Sequence, residues 1–526
     1  MKWTLWAGLL IGMASSGSLA QNEPYKISGT VVDHATNRPL SKMLVQVTPV
    51  GASQESDTGR FARTDNDGHF AFANLPAGKY VLLAGRQPSS MQFLQGDEGF
   101  STAIAVGPGL DSEHISFPLP ALGSISGTVL DEEGAGLKDA MIYLYRQHIA
   151  SGRPETVSYG QQQTKTSGSF RFTNLQAGTY FLAVHAQPWY AGSDTTNQEF
   201  DVAYPLTYYP DATDASSASP ITVVEGATAN LQMVLRPVPA VHVRFSGLET
   251  GTGVNLQPMV SAIGPGGRRI TLNANYATVN NHPELGGIAP GRYELAINAF
   301  ENGRGQTIAT KMVDLQNGLD IDLSGTSHCS ITGRIVFAGG VRAPNPLMLY
   351  FSQVAGNQYL PITVAADGTF EVSALPPGRY QIGINGPDWF HFRSVDVKGG
   401  KFKDGLLDLP DGAKVQVFLT ASTDKTALSG IALRDEKPVA GAIVLLFPED
   451  PDRSDLIRRD QSDSDGTFTL PDVPPGRYRV LAVDNGRGLA YGDAGAIKPY
   501  LSLSQAITVN AGKQPALKVS VQTRLP

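Results

Sequence analysis

Two groups of aromatic residues are the side chains of this sequence whose type and spacing could serve ligand binding. A flat ring can stack on the C–H face of a sugar, while neighbouring Asn and Asp side chains hydrogen-bond the sugar hydroxyls. Loops that meet at one end of a domain can bring such groups together. In the alternative interpretation, the rings seal the ends of their own domains or form contacts between domains. The candidate ligand-binding residues are Trp189, Tyr190, Tyr204, Tyr208, Tyr209, Trp389 and Phe390.

Two short acidic segments, Asp65–Gly68 and Asp463–Gly466, carry alternating oxygen side chains of the kind that can surround a calcium ion. The rest of each loop does not fit an EF-type site. Such a loop would start at Arg63 or Gln461 and end in a bidentate acid at Asn74 or Asp472, of which only Asp472 could serve. A related turn, Thr166–Gly168, has no acid. We therefore interpret these segments as hairpin turns and expect no metal site.

Motifs typical of catalysis or cofactor binding do not occur in the sequence. The nine histidines form no HExxH or HxxE pair, and there is no GxSxG, GxxxxGK[ST] or strand-following GxGxxG motif. The single cysteine, Cys329, cannot form an intramolecular disulfide, and we expect it to be a small buried or strand-end residue. The sequence therefore predicts a protein that is not an enzyme and has no cofactor.

The composition favours β-structure with many turns. Hydrophobic residues make up 41% of the 526 residues and charged residues 17%, below the usual charged share of about 25%. Gly (57) and Pro (35) are frequent. This balance excludes a coiled coil and disorder driven by charge. Since the net charge is −7, we also exclude a strongly basic nucleic-acid binder and expect no nucleic-acid partner.

The first 20 residues have the features of a signal peptide. A charge at Lys2 precedes the apolar run Leu5–Met13, and a small-x-small pattern stands directly before Gln21. The alternative, a transmembrane anchor, needs about 18 or more apolar residues, and this run is shorter. We expect a secreted, periplasmic or cell-surface protein after cleavage near Ala20, with no membrane span in the mature chain. Because Gln21 and not Cys follows the cleavage point, lipoprotein anchoring is not supported.

One phrase is repeated along the chain in four clear copies and one weak copy. Each clear copy approximates DGxFxFxxLPxGxY, with two glycines ten residues apart. A short opening phrase, ISGTV in its first two occurrences, precedes each clear copy. The clear copies are Asp67–Tyr80, Ser167–Tyr180, Asp367–Tyr380 and Asp465–Tyr478, and the weak copy is Asn281–Tyr293.

The spacing of the copies divides the chain into five units of about 100 residues each. Three intervals separate the opening glycines of the clear copies, and one interval is about twice as long as the others, so it holds two units. The third unit is the divergent one. After the signal peptide at 1–20, the predicted domains are 21–121, 122–239, 240–327, 328–427 and 428–526.

Within each unit the sequence predicts short strands. Segments such as Met43–Val47 and Ile443–Phe447 are rich in β-branched and aromatic residues and are bounded by turn residues. The Asp-Gly pair permits a tight hairpin, after which Phe70 and Phe72 fall on one face of the next strand. The Tyr that ends each copy resembles a tyrosine corner, with a buried ring and a hydroxyl bonded to nearby backbone. We predict an all-β protein of about five Ig-like Greek-key β-sandwiches in series.

The opening phrase followed by DGxFxFxxLPxGxY resembles the carboxypeptidase regulatory-like domain, a transthyretin-like sandwich that is also similar to bacterial Cna B-type repeats. The resemblance covers units one, two, four and five well and unit three weakly. It implies an accessory or spacer module without catalytic residues of its own, in a fold grouped with carbohydrate-binding-like sandwiches. In the four clear copies, no acid follows the final Tyr within five residues, so the isopeptide bonds of Cna B-type domains are not expected there.

Three functions remain open at this stage. The leading hypothesis is an exported, non-catalytic scaffold or adhesion-type protein. The second is a carbohydrate-binding protein that uses the loop aromatics of units two and four. The third is an accessory subunit of a separate peptidase. The candidate partners are accordingly a polysaccharide or a cell-surface protein.

Overall fold

The computed structural model describes most of the chain after residue 24, and nearly all of its regular structure is β. The regular elements of the described residues are 43 strands, the short α-helix α1 (Ala494–Ile497) and six 3₁₀ segments. This confirms the predicted all-β class. The described residues are 25–51, 59–97, 99–150, 152–191, 200–246, 255–267, 269–279, 282–301, 304–322, 329–340, 346–353, 359–375, 377–385, 390–403, 405–410, 412–450 and 453–525.

Two compact units make up the chain. The first contains the residues up to Val32, Arg38–Leu94 and Ala103–Phe117. The second contains Asp33–Asn37, Gln95–Thr102 and all residues from Pro118 onward. The predicted signal peptide lies outside the described residues. Within the described part of the chain, no helical segment has the length and apolar character needed to cross a bilayer.

The first sandwich has a three-stranded sheet, β4-β1-β8, and a second sheet, β3-β2-β5-β6, with β7 also paired to β5. Its strands are β1 (Tyr25–Asp33), β2 (Leu44–Pro49), β3 (Arg60–Arg63), β4 (His69–Leu75), β5 (Gly78–Gly85), β6 (Gln92–Phe93), β7 (Ile104–Val106) and β8 (Ile115–Leu119).

The second sandwich repeats this plan, with sheets β12-β9-β17 and β11-β10-β13-β15, β16 on β13, and a separate pair β14-β18. Its strands are β9 (Gly123–Leu130), β10 (Met141–Ala150), β11 (Arg153–Gln163), β12 (Ser169–Leu175), β13 (Gly178–His185), β14 (Val202–Ala203), β15 (Thr207–Tyr208), β16 (Ile221–Val223), β17 (Thr228–Val234) and β18 (Val238–Pro239).

The third sandwich, which carries the weak copy of the repeat, has two four-stranded sheets, β22-β23-β19-β26 and β21-β20-β24-β25. Its strands are β19 (Val241–Ser246), β20 (Asn255–Ile263), β21 (Arg269–Leu272), β22 (Asn275–Val279), β23 (His282–Ile288), β24 (Gly291–Glu301), β25 (Arg304–Leu315) and β26 (Leu319–Asp322).

The fourth sandwich has sheets β30-β27-β35-β32 and β29-β28-β31-β34-β33. Its strands are β27 (Cys329–Phe337), β28 (Met348–Gln353), β29 (Tyr359–Thr363), β30 (Thr369–Leu375), β31 (Gly378–Asn385), β32 (His391–Lys398), β33 (Lys401–Lys403), β34 (Leu406–Leu409) and β35 (Lys414–Ser422). Cys329 is fully buried at the start of β27, as the sequence predicted.

In the fifth sandwich the last strand, β43, pairs in parallel with both β36 and β41, so the two layers join along one edge. Helix α1 and the 3₁₀ segment Lys498–Leu503 precede β42. The strands are β36 (Thr426–Arg434), β37 (Lys437–Pro438), β38 (Ile443–Pro448), β39 (Arg458–Gln461), β40 (Thr467–Val473), β41 (Gly476–Asp484), β42 (Gln505–Val509) and β43 (Leu517–Thr523).

The opening glycine and the repeated Phe face each other in the first sheet of each sandwich that carries a clear copy. In the fourth sandwich, Gly333 of β27 is the partner of Phe370 of β30. A Cβ at Gly333 would overlap the Phe370 ring and the carbonyl oxygen of Val417 on the parallel strand β35. The glycine therefore lets the ring pack flat over the strand, which explains why the two phrases of the repeat occur together.

The predicted tyrosine corner is confirmed. The hydroxyl of Tyr180 donates to the carbonyl oxygen of Gln176 at 2.8 Å, and its ring is buried. The same bond to the residue four positions earlier is made by the corner tyrosines of the first, third and fifth sandwiches. In the third sandwich this residue is Tyr293, so the weak copy of the repeat keeps the corner.

Two outward-facing residues on one strand of each repeated sandwich distinguish the domains. In each of these sandwiches the corner tyrosine pairs with a residue of the neighbouring strand. This partner is Pro49 in the first sandwich, Arg146 in the second, Gln353 in the fourth and Pro448 in the fifth. We call the residues one and three positions before this partner the outer pair. The outer pairs are Thr48 and Gln46, Tyr145 and Tyr143, Ser352 and Tyr350, and Phe447 and Leu445.

The outer pair of the second sandwich packs against the third sandwich. Tyr145 lies in the hydrophobic cluster built around the third sandwich's core, with Tyr143 packed against it, while the neighbouring Ile142 and Leu144 belong to the second sandwich's own core. Tyr208 joins the same cluster. The second and third sandwiches therefore share a continuous apolar layer, which we call the 2/3 joint.

Polar contacts connect the other sandwiches of the second unit. Arg269 of the third sandwich donates to Gln353 of the fourth at 3.0 Å. Arg453 of the fifth donates to the carbonyl oxygens of Phe392 and Arg393 of the fourth. Arg153 of the second sandwich donates hydrogen bonds to two acceptors in the fifth, the hydroxyl oxygen of Ser454 and the carbonyl oxygen of Gly492. Each of the four sandwiches thus contacts at least two others.

Candidate binding site on the second sandwich

Three of the predicted ligand-binding residues come together beyond the end of β13 and beside the turn that follows β9. Trp189 and Tyr190 follow β13, whereas Tyr204 lies between β14 and β15. The carboxylate of Glu132, in the turn after β9, accepts hydrogen bonds from both tyrosine hydroxyls, and the bond from Tyr204 measures 2.6 Å. Two segments distant in sequence are thereby tied to one turn.

The two tyrosine hydroxyls fix the ionisation state of Glu132. Burial alone would raise the pKa of Glu132, but the hydrogen bonds from Tyr190 and Tyr204 outweigh it, and the pKa is lowered. The hydrogen bond to Glu132 raises the pKa of Tyr190 to about 12. Burial, followed by the bond to Glu132, raises the pKa of Tyr204. At neutral pH the carboxylate is ionised, the hydroxyls are protonated, and each carboxylate oxygen has a tyrosine donor.

Trp189 is the exposed element of this cluster. Its side chain is 85% exposed, and its ring system meets the Tyr190 ring edge to face, with centroids 5.6 Å apart and planes at 86°. A turn closed by the bond from the Ala191 amide to the Pro188 carbonyl follows β13 at this point. Glu132 holds Tyr190, and Tyr190 supports Trp189, so an indole face is presented to solvent. Such a face can stack on a sugar ring or a planar ligand.

The other predicted ligand-binding residues that the structure describes have different surroundings. Tyr208 is 2% exposed and lies in the 2/3 joint. Tyr209 is half-buried against the second sandwich's core. Phe390 is buried in the fourth sandwich, edge to face with Phe337. Trp389 lies outside the described residues. The alternative interpretation, in which rings seal domains and joints, therefore describes the positions of Tyr208 and Phe390.

Glu132 is the member of the cluster that sequence reasoning missed. It lies in a run of three acids, Asp131 to Glu133, which reads as an ordinary solvated turn. Its partners are 58 and 72 residues away along the chain, and no local spacing signals a contact of that length.

The acidic turns act as hairpins where the structure describes them. The Asp65 carboxylate accepts the backbone amides of Asp67 and His69 at 2.9 and 2.8 Å. In the corresponding turn of the fifth sandwich, the Asp465 carboxylate accepts the amide and hydroxyl of Thr467. Among the described residues, no group of three or more His, Cys, Asp or Glu side chains is arranged to hold a metal ion.

Comparison with known protein families finds a match in the first sandwich. Residues 26–101 match the family model of the carboxypeptidase regulatory-like domain. Most of the first sandwich is therefore similar to a carboxypeptidase regulatory-like domain. The resemblance inferred from the repeats is thereby confirmed for this segment. The second, fourth and fifth sandwiches share the tyrosine-partner register of the regulatory-like domain.

No curated protein matches this chain. Solved structures with some similarity include the minor pilin GBS52 of Streptococcus agalactiae, which is 14% identical, with 41% of this chain and 97% of that chain covered and a TM-score of 0.23. The shaft pilin SpaA of Lactobacillus rhamnosus GG is 11% identical, with 43% and 100% covered and a TM-score of 0.20. The Bacillus anthracis TIE protein is 10% identical, with 97% and 76% covered and a TM-score of 0.18. At these TM-scores the fold rests on the strand pairing described above.

Proposed function

We propose that this chain is an exported, non-catalytic scaffold of five sandwich domains, with boundaries near residues 121, 239, 327 and 427. The proposal rests first on the structural roles of the distinctive residues of the repeat. The glycines, the Phe and the Tyr of each copy form turns, core contacts and corners, and these roles leave them unavailable for chemistry. A regulatory-like domain at the start of the chain agrees with a spacer role.

The 2/3 joint is the observation that carries the proposal. A flexible tether needs no apolar surface between its domains, whereas a scaffold must hold its domains at fixed positions. Tyr145, Tyr208 and Leu206 of the second sandwich are buried together with core residues of the third sandwich, such as Val243 and Ile270. Burial of large side chains on both sides of a joint stabilises one relative orientation.

Cell fractionation with an epitope tag at the C-terminus tests the exported scaffold. We expect a processed chain that begins near Gln21 and that is found outside the cytoplasm. We also expect Tyr208→Ala, which loosens the 2/3 joint, to reduce surface attachment of the cells as much as deletion of the gene. A full-length chain in the cytoplasm would contradict export, and wild-type attachment by the Tyr208→Ala strain would contradict a role for fixed domain positions.

A second candidate function, carbohydrate binding, is favoured by the exposed indole of Trp189. The ring packs on Tyr190, whose hydroxyl is in turn bound by Glu132, and a supported, exposed ring is expected of a stacking platform. Affinity electrophoresis of the full mature chain in gels containing neutral polysaccharides tests it. We expect retardation that Trp189→Ala abolishes, while Tyr276→Ala, which removes another exposed ring on the third sandwich, leaves it unchanged. Equal mobility of all three proteins would contradict sugar binding.

A further inference from the structure

A cleft of about 550 Å³ lies between the fourth and fifth sandwiches. Its wall includes Arg393 from β32, and Arg453 and Arg477 from the fifth sandwich, and none of its lining residues is acidic. Three arginines therefore line one cleft of a chain whose net charge is −7. The volume falls within the range of about 300 to 1,000 Å³ that is usual for small-molecule sites, which often form between domains.

The three arginines have different roles in this cleft. Arg453 is held in place: it binds both carboxylate oxygens of Asp455 at 2.9 Å and donates to the carbonyl oxygens of Phe392 and Arg393. It therefore joins the two walls of the cleft. Because its donors are used by the protein itself, Arg453 contributes charge and rigidity and is not the group that would contact a ligand.

Arg393 and Arg477 keep donors for a ligand. The Nη2 of Arg393 binds Asp424 at 2.5 Å, and the Nε of Arg477 binds Glu449 at 3.1 Å. A guanidinium has five N–H donors, so each of these arginines retains several. Their side chains are 48% and 77% exposed, which lets a ligand reach them. The paired acids, Asp424 and Glu449, are not among the lining residues of the cleft.

The remaining lining is partly apolar. Among the lining residues, Phe392 and Leu456 are half-buried and Val509 is buried. A bare inorganic anion would leave this surface uncovered. A carbon skeleton that carries two or more carboxylates would contact the apolar surface and offer an oxyanion to each of two arginines. Guanidinium groups bind carboxylates through paired, charge-assisted hydrogen bonds.

We propose that this cleft binds a small molecule with several carboxylates, held by Arg393 from the fourth sandwich and Arg477 from the fifth. The site goes beyond the scaffold role, because neither the repeat nor the regulatory-like domain requires it. A ligand bound there links the two sandwiches through its own carboxylates, in addition to the Arg453 contact.

Isothermal titration of the full mature chain with citrate at low salt tests this site. We expect saturable binding of one citrate per chain, at least tenfold weaker in Arg393→Gln and in Arg477→Gln, and lost in the double variant. Arg379→Gln is the matched control, since Arg379 is exposed on β31 of the fourth sandwich outside the cleft. It should bind citrate like the wild type. Thermal unfolding of each variant establishes that the exposed substitutions leave the fold intact.

Two further ligands separate a polycarboxylate from other anions. Inorganic phosphate should bind at least tenfold more weakly than citrate, because it cannot contact both arginines and the apolar lining. A hexaglutamate peptide should not compete at equal carboxylate concentration. Citrate binding that is unchanged in the double variant, no citrate binding by the folded wild type, or binding of the peptide alone would each overturn the proposal.

Discussion

The second and fifth sandwiches cover the same outward-facing surface in different ways. In the second, the outer pair Tyr143 and Tyr145 packs against a neighbouring sandwich, in the 2/3 joint. In the fifth, Leu445 and Phe447 pack under a segment of the same domain that includes Tyr491, helix α1 and Tyr500. One structural position therefore serves to connect domains in one case and to cap a domain in the other.

In the first and fourth sandwiches no residue of the outer pair is fully buried. The outer pair of the first sandwich is polar at both positions, and that of the fourth combines Ser352 with Tyr350. All four side chains are only half-buried. Their strands alternate between buried and half-buried positions. A strand that is apolar on both faces thus indicates a sandwich whose outer surface is covered. A strand whose buried and half-buried residues alternate indicates a more exposed outer surface.

A charge in the covered surface should have the largest effect. Leu445 is 0% exposed, so Leu445→Asp would bury a carboxylate without a partner and cost at least about 4 kcal/mol. We expect the fifth sandwich to lose its hydrogen-exchange protection. Gln46→Asp at the corresponding half-buried position of the first sandwich is the control, and it should change protection by less than about 1 kcal/mol. Equal effects of the two substitutions would contradict the comparison.

Removal of a ring from the 2/3 joint should have the next largest effect. Tyr208→Ala deletes a side chain that is 2% exposed and should cost about 3 kcal/mol or more at the joint. Limited proteolysis should then cut between the second and third sandwiches. Tyr500→Ala removes a ring from the cover of the fifth sandwich and should expose that sandwich while leaving the 2/3 joint resistant. Cleavage of the same peptide bonds in both variants would show that the 2/3 joint and the cover of the fifth sandwich are not independent.

Acid should weaken the 2/3 joint through His185. Its Nε2 accepts the Asn273 amide at 3.1 Å, and burial lowers the pKa of His185 to about 4. Since the unfolded pKa is about 6.5, the unfolded chain binds a proton that the folded joint does not, between pH 6.5 and pH 4. Stability is complete above that window and falls as the pH drops through it, by about 2 kcal/mol at pH 5.

Hydrogen exchange of peptides from β13 and β20, compared at pH 7.5 and pH 5 after correction for intrinsic rates, measures this loss. His185→Gln should keep the acceptor and abolish the difference between the two pH values. Burial also lowers the pKa of His391, in the fourth sandwich, to about 4, so its effect appears in other peptides. An undiminished acid effect at β13 in His185→Gln would contradict the assignment.

Trp189→Ala should have the smallest effect on stability. An indole that is 85% exposed contributes little to folding, and we expect a change within about 0.5 kcal/mol in chemical denaturation. Tyr190→Phe is the informative partner, because it removes the donor to Glu132 while keeping the ring. A large loss of stability in Trp189→Ala would show that the indole is part of the fold and not a free surface.

The sequence predicted those features that depend on local patterns. The repeated phrase indicated the strands, the hairpin turns and the tyrosine corner, and Tyr293 keeps its corner even in the divergent third sandwich. These features follow from residues close together along the chain, such as Tyr293 and the Ala289 carbonyl four residues before it.

Contacts between distant segments could not be derived in this way. The strand Ile443–Phe447 is apolar at every position, which shows that both faces are buried but not what covers the second face. From the sequence, Tyr208 was a candidate ligand-binding residue, because no local sequence pattern distinguishes a ring in a joint between domains from a ring in a binding site. Glu132 met its tyrosines only through the folded chain.

We infer that the sandwiches from Pro118 onward form one cooperative unit, held together by the 2/3 joint and by the polar contacts between the other sandwiches. Limited proteolysis of the full mature chain, with mass spectrometry of the products, tests it most directly. We expect one resistant fragment that begins near Pro118 and includes the second to fifth sandwiches. Release of separate stable fragments of about 100 residues each, at protease concentrations that do not digest the folded sandwiches themselves, would contradict the claim.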